Sequence, residues 1–241
     1  MRGAAQPQHL RATGAARARS GRRPAGGNQR RCAVLAGARG VSALGERLRD
    51  LHAAGHAVDV PGLRTDDSRF APGEARDAAV LAAIVDRPRP SFLLTHRPSN
   101  MRAHPGQVAF PGGKIDPGET PVEAALREAW EELAIPPEAV TVIGQSDVYR
   151  TGTGYVITPV LALVPPDLPI RPNPSEVAQW FEAPVDFVFD TVNHVVRSAD
   201  WNGMRREYLD IQWQEHRIWG VTAAIIANLS RRLDWARLAD A

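Results

Sequence analysis

Cysteine occurs once in this chain, at Cys32. That excludes an internal disulfide and a cysteine-based metal cluster, and it suits a reducing cytoplasm, the expected location. No apolar run approaches the roughly eighteen residues of a membrane-spanning helix. Nor is there the apolar core of a secretory signal. Acidic residues are missing from the first 45 positions, which hold nine arginines. The formal net charge of +2 therefore hides an asymmetry, because the remainder carries 20 basic against 27 acidic residues. Lysine is nearly absent too, with Lys114 alone, a pattern of coding bias rather than of physics.

Residues 1–40 are rich in Arg, Ala and Gly and lack apolar periodicity. They bury too little to fold and are expected to form a disordered tail, with the folded domain over 41–241. Three readings of the tail compete: a mis-assigned upstream start, which is preferred, an organellar targeting segment, and a basic arm for nucleic acid or acidic lipid. A hydrophobic content of 44% is ordinary for a globular domain and supports a sizeable core.

Leu44, Leu48 and Leu51 predict a short amphipathic helix over 41–54, followed by a polar loop at 62–74. The apolar runs 78–85 and 92–95 flank Arg87-Pro88-Arg89-Pro90 and predict two paired strands joined by a proline turn. A hairpin is expected from 140–148 and 155–164 around Thr151-Gly152-Thr153-Gly154. A proline-rich loop follows at 165–174, then a strand at 177–181 and a short helix from Pro184 to Phe189. Strands at 207–213 and 217–219 precede a helix over 222–238.

The most informative stretch is 106–135, GQVAFPGGKIDPGETPVEAALREAWEELAI. A short strand at 107–110 is broken by Pro111-Gly112-Gly113, and Asp116-Pro117-Gly118 is a second turn. Thr120 as N-cap, Pro121 at the first helical position and Glu123 in a capping box start a helix, which Ile135-Pro136-Pro137 stops. Val122, Ala125, Leu126, Ala129 and Leu133 share one side of it, with Trp130 at the margin. Glu128, Glu131 and Glu132 share the other, at spacings that converge on one point. A plain solvated face would explain a Glu-rich helix. The adjoining Gly-Gly loop and Arg127 favour instead a site for a hard divalent cation, which takes carboxylate oxygens and substrate phosphates. No His/Cys cluster accompanies it, so Mg²⁺ or Mn²⁺ fits better than Zn²⁺.

Gly113, then Glu119, then Arg127-Glu128-Ala129-Trp130-Glu131-Glu132 resembles the Nudix box in residue type and spacing. The Gly and aliphatic residue that end the box are here Ala134-Ile135. Ala134 is expected to carry the helix one residue further. The preceding Leu93-Leu94-Thr95-His96-Arg97 and Gly106-Gln107-Val108-Ala109-Phe110-Pro111-Gly112-Gly113 resemble the coenzyme A pyrophosphatase branch of that family. Thr158-Pro159-Val160 and Ile218-Trp219-Gly220-Val221-Thr222-Ala223 continue the likeness, which covers roughly 42–235.

The resemblance implies an α/β/α sandwich with a mixed β-sheet between helices. It implies metal-dependent cleavage of the diphosphate of coenzyme A or acyl-CoA, giving 3′,5′-ADP and (acyl-)4′-phosphopantetheine. The partner is then a small molecule, without membrane or nucleic acid, and a homodimer is compatible with it. Glu128 and Glu132 become the principal metal ligands with Glu131 beside them, and Gly113 offers a backbone carbonyl. Glu119 and Arg127 pair to hold loop against helix. Arg97, Gln107 and Phe110 are the substrate contacts, against a competing reading of strand end, loop cap and core. His96 and His104 read as surface residues, and Tyr149 and Tyr155 as pocket border or hairpin packing. No GxSxG elbow or Cys/His pair supports a covalent route, so direct attack by water is expected. The rivals are a Nudix enzyme for ADP-ribose, dinucleotides or NTPs, and a non-catalytic nucleotide- or RNA-binding protein.

Overall fold

The computed structural model describes residues 42–67, 75–99, 106–201 and 203–236. The expected tail, His104, part of the polar loop at 62–74 and the end of the C-terminal segment lie outside them. No helix among the described residues is long and apolar enough to cross a membrane.

Helix α1 (Ala43–His56) starts where the Ser42 side chain accepts a hydrogen bond from Gly45 N at 3.2 Å. Leu48 is buried, and Leu44 and Leu51 pack beside it. Strands β1 (Arg76–Val85) and β2 (Ser91–His96) form the expected proline-turn hairpin. They pair only at its closed end, Ile84 with Phe92 and Val85 with Ser91, and then splay apart.

The glycine stretch fills the gap that this splaying opens. Strand β3 (Val108–Ala109) pairs with β2, and β4 (Gly112–Lys114) pairs with β1 from Ala78 to Val80. The expected break does follow β3, at Phe110-Pro111, but the reading of Gly112 and Gly113 as part of it is corrected: these two residues form a strand. A Cβ at Gly112 would lie 2.4 Å from the Ala79 carbonyl oxygen, so only glycine lets the two backbones meet there.

Helix α2 (Pro121–Leu133) follows. Strands β5 (Thr141–Gln145) and β6 (Tyr149–Arg150) then run antiparallel to β7 (Tyr155–Val164) in the expected hairpin. Strand β7 lies parallel to the whole of β1, from Arg76–Tyr155 to Val85–Val164. Strand β8 (Gln179–Pro184) pairs antiparallel with β2, completing an eight-stranded mixed sheet. Helix α3 (Val185–Phe189) leads into a second, antiparallel sheet of β9 (Val195–Trp201), β10 (Met204–Trp213) and β11 (His216–Trp219). The sequence gives little sign of β9, because Arg197-Ser198-Ala199-Asp200 interrupts any apolar alternation after Val195 and Val196.

The last helix, α4 (Val221–Arg232), ends earlier than the expected 238. Leu233 leaves the helix for an extended conformation and is fully buried there. The two faces of β1 divide the core. Ala79, Leu81, Ala83 and Val85 pack with Ala124, Ala125, Ala129 and Leu133 of α2. Ala82 and Ile84 join Leu48 of α1 and Ala223 and Ile226 of α4 on the other side. The fold is an α/β/α sandwich around a mixed sheet. Each fully buried Leu or Ile contributes about 1.5–3 kcal/mol, so packing rather than propensity holds α2 in place.

Candidate active site

Helix α2 carries the capping signals of its sequence. Thr120 Oγ1 accepts from Glu123 N at 3.3 Å, and the Glu123 carboxylate accepts from Thr120 N at 2.8 Å. At the other end the expectation for Ala134 is corrected. Ala134 does not extend the helix but ends it, in the left-handed conformation at φ 55°, ψ 35°. Its N–H reaches Trp130 O and the Ile135 N–H reaches Ala129 O, closing the last carbonyls as a glycine would. Trp130, expected at the apolar margin, is 51% exposed.

Arg127 is the hub of the cluster. Its Nε donates to Glu119 at 2.8 Å, Nη1 to Glu128 at 2.9 Å and Glu131 at 3.1 Å, and Nη2 to the Lys114 carbonyl at 3.0 Å. It thus ties the loop to the helix, and the Glu119 carboxyl is held below its ordinary range by that bond. Glu128 lies against Gly113, where a Cβ would come within 2.3 Å of its Oε1. Burial pushes the Glu128 carboxyl up despite Arg127.

Glu132 is the most deeply buried carboxylate of α2. Only 5% of it is exposed, and Gly112 N donates to its carboxylate at 3.3 Å. Burial first, and the Glu128 charge second, push its carboxyl up to about 8. Arg97, from the end of β2, pulls the other way.

A third carboxylate completes the group. One oxygen each from Glu128, Glu132 and Glu176 lie within 4.8 Å of one another. Glu176 escaped the sequence reading because it sits beyond a proline-rich loop, in Asn173-Pro174-Ser175-Glu176. The turn was legible; its destination was not. Arg171 N donates to Leu133 O and Asn173 N to Glu132 O, so this loop is clipped to the C-terminal end of α2. Glu176 N and Val177 N then both donate to Asn173 O, fixing the turn that delivers the carboxylate. Glu131 stands apart: it is not one of the three, and its carboxylate faces outward toward Arg127.

The two halves of the segment before the box are adjacent. Arg97 N donates to Gln107 O at 3.0 Å, continuing the pairing of β2 with β3. Arg97 Nε is buried without a hydrogen-bond partner among the described residues. Phe110 is corrected from substrate contact to core: it is 3% exposed and meets Phe92 edge-on at 5.4 Å. His96, read as a surface residue, is half-buried and shares a 2.8 Å hydrogen bond with the buried His216. Tyr149 is buried, with its hydroxyl pushed up to about 12, and Tyr155 lies under the Arg76 guanidinium; hairpin packing accounts for both.

The donor set fits a hard divalent cation. Three carboxylates converge, one is buried at high electrostatic cost, and no His or Cys joins them among the described residues.

A profile of the NUDIX domain matches residues 75–201. An uncharacterized Nudix hydrolase, NudL, of Photorhabdus laumondii is 41% identical over 159 residues, which is 66% of this chain and 85% of the relative. The protein of that name from Escherichia coli O6:H1 is 45% identical over 163 residues, covering 66% of this chain and 83% of its own. Among solved structures, the Nudix hydrolase RenU of M. smegmatis is 30% identical with a TM-score of 0.42, over 48% of this chain and 74% of that one. With more than half of its length in the domain match and most of each curated relative spanned, the chain belongs to the Nudix hydrolases, enzymes that cleave anhydrides in small-molecule substrates.

Proposed function

We propose that this enzyme hydrolyses the diphosphate of coenzyme A or acyl-CoA, releasing 3′,5′-ADP and (acyl-)4′-phosphopantetheine. The observation that carries the reading is the meeting of Glu128, Glu132 and Glu176 beside Arg97, whose buried Nε lacks a partner. An unpaired buried donor next to a carboxylate cluster is suited to a phosphate oxygen. The pairing of 95–96 with 108–109 supports the substrate class, since it joins into one surface the two segments that resemble the coenzyme A branch.

Glu128 and Glu132 would hold a Mg²⁺ or Mn²⁺ ion, with the Gly113 carbonyl beside them and Glu176 next to the ion. Such a cation supplies positive charge where negative charge builds on the diphosphate and makes water a better nucleophile. Arg127 keeps Glu128 aimed by binding it, Glu119 and the Lys114 carbonyl at once. Arg97 positions the phosphate. Glu176, whose carboxylate has no hydrogen bond from the described residues, takes the proton of the attacking water. Glu131 tunes this arrangement through Arg127.

The test is a comparison of kcat/KM for coenzyme A and ADP-ribose with Mg²⁺ and with Mn²⁺, with products identified by mass spectrometry. Formation of 3′,5′-ADP with preference for coenzyme A supports the reading. A large preference for ADP-ribose overturns it.

A further inference from the structure

A cavity of about 380 Å³ lies against α4, on the face of the sheet opposite α2. Its walls are Gly62 and Arg64 from the loop after α1, Thr191 and His194 after α3, and Asn228, Ser230 and Arg231 on α4. None of these residues belongs to the carboxylate centre.

The loop is fixed by four long-range hydrogen bonds. The buried Asn228 side chain accepts from Arg64 N at 2.7 Å and donates to Arg64 O at 2.9 Å. Arg231 donates to Gly62 O at 2.7 Å and Pro61 O at 2.8 Å. Two consequences follow for charge. Arg231 directs these donors to neutral carbonyls, so no carboxylate offsets its charge there. Arg64 projects an exposed guanidinium from an immobilised backbone, with no ion pair or side-chain hydrogen bond to the described residues.

No Asp or Glu lines the cavity. Asp66 pairs with Arg206, and Asp190 caps Val192 N at 3.0 Å. His194 Nε2 is bound to Val188 O at 2.7 Å, which fixes the ring. The residues that line it thus include Arg64, whose guanidinium has no ion pair to the described residues, Arg231, whose guanidinium donates to backbone carbonyls, and Thr191, while the Ser230 hydroxyl donates to Ala227 O at 2.9 Å. Guanidinium forks match phosphate oxygens, and the volume lies at the small end of ligand pockets, which run roughly 300–1,000 Å³.

We propose that this cavity is a second ligand site, for the phosphate group of a small phosphomonoester. The full-length protein, freed of metal with EDTA, is titrated calorimetrically with inorganic phosphate and with AMP at constant ionic strength. The expected result is one site that persists in Glu132→Gln. Arg64→Ala and Ser230→Asp, which respectively remove the free guanidinium and place an acid in the cavity, each weaken it at least tenfold. Arg64→Lys retains part of the affinity, and all three variants keep the metal-dependent hydrolysis rate. Binding that Arg64→Ala leaves unchanged, binding that Glu132→Gln abolishes, or no binding at 10 mM ligand overturns the proposal.

Discussion

Glu132→Gln should make the metal-free protein more stable while disabling it. The wild-type carboxyl is buried and pushed from an ordinary 4.5 up to about 8. A tenfold change in proton affinity is about 1.4 kcal/mol, so keeping this group ionised in the fold costs on the order of 4–5 kcal/mol. The sign follows from proton counts. Between pH 4.5 and 8 the folded carboxyl keeps a proton that the unfolded chain has released, so stability falls as pH rises through that window. Above pH 8 the full cost is present. Glutamine can still accept from Gly112 N and carries no charge. In EDTA at pH 5, where less than about 1 kcal/mol of this cost has developed, the two proteins should therefore melt within a few degrees of each other. At pH 9 the variant should be more stable by about 2–4 kcal/mol after local relaxation, roughly 5–10 °C in Tm for a domain of this size. Adding Mg²⁺ at pH 9 should restore the wild type and leave the variant unmoved, because the cation compensates a charge that only the wild type has. Calorimetry or scanning fluorimetry at the two pH values measures this directly. Taking the difference between variant and wild type cancels the titration of the carboxylates that do not interact with Glu132. A Tm difference that is the same at pH 5 and pH 9, or a less stable variant at pH 9, would refute the electrostatic account of the site.

Four further outcomes follow from the geometry. Glu176→Gln should lower kcat by about 10²-fold or more with Tm nearly unchanged, as loss of a positioned base does; wild-type turnover in steady-state assays would remove Glu176 from the site. Gly113→Ala puts a Cβ 2.3 Å from Glu128 Oε1, so the carboxylate must swing away, and Mg²⁺ titration should show affinity reduced by about 10–100-fold. Ala134→Gly relieves a left-handed alanine and should raise Tm by about 2–4 °C, since the roughly 1–2 kcal/mol of strain outweighs the added chain entropy of glycine. Arg127→Ala removes the shared partner of three carboxylates; hydrolysis should fall without recovery at high Mg²⁺, and full rescue by Arg127→Lys would argue against a geometric role.

Local signals decided much of this protein in advance. The Thr120-Pro121-Val122-Glu123 start of α2, its apolar and acidic faces, the Arg87-Pro88-Arg89-Pro90 turn and the 155–164 strand depend on neighbours within a few residues. Those interactions are written in order along the chain. The spacing from Gly113 to Glu132 likewise revealed the box, because a loop and a helix of fixed rise place its members relative to one another.

What the sequence left open depends on contacts between distant segments. Gly112-Gly113 reads as a break, and becomes a strand only because β1 and β2 diverge and leave a gap of the right width. Glu131 and Glu132 are adjacent and chemically alike. The packing of α2 makes one a half-exposed partner of Arg127 and the other a buried, perturbed carboxyl. Glu176 reaches the site because backbone donors at Arg171 and Asn173 find the free carbonyls at the end of α2, more than forty residues from Glu128 in sequence. Sequence alone pointed to the reaction class, through the resemblance carried by the Gly113-to-Glu132 spacing, and to the acidic face of α2, since helical periodicity is local. Tertiary structure decided which carboxylates meet, because burial and convergence are properties of packing.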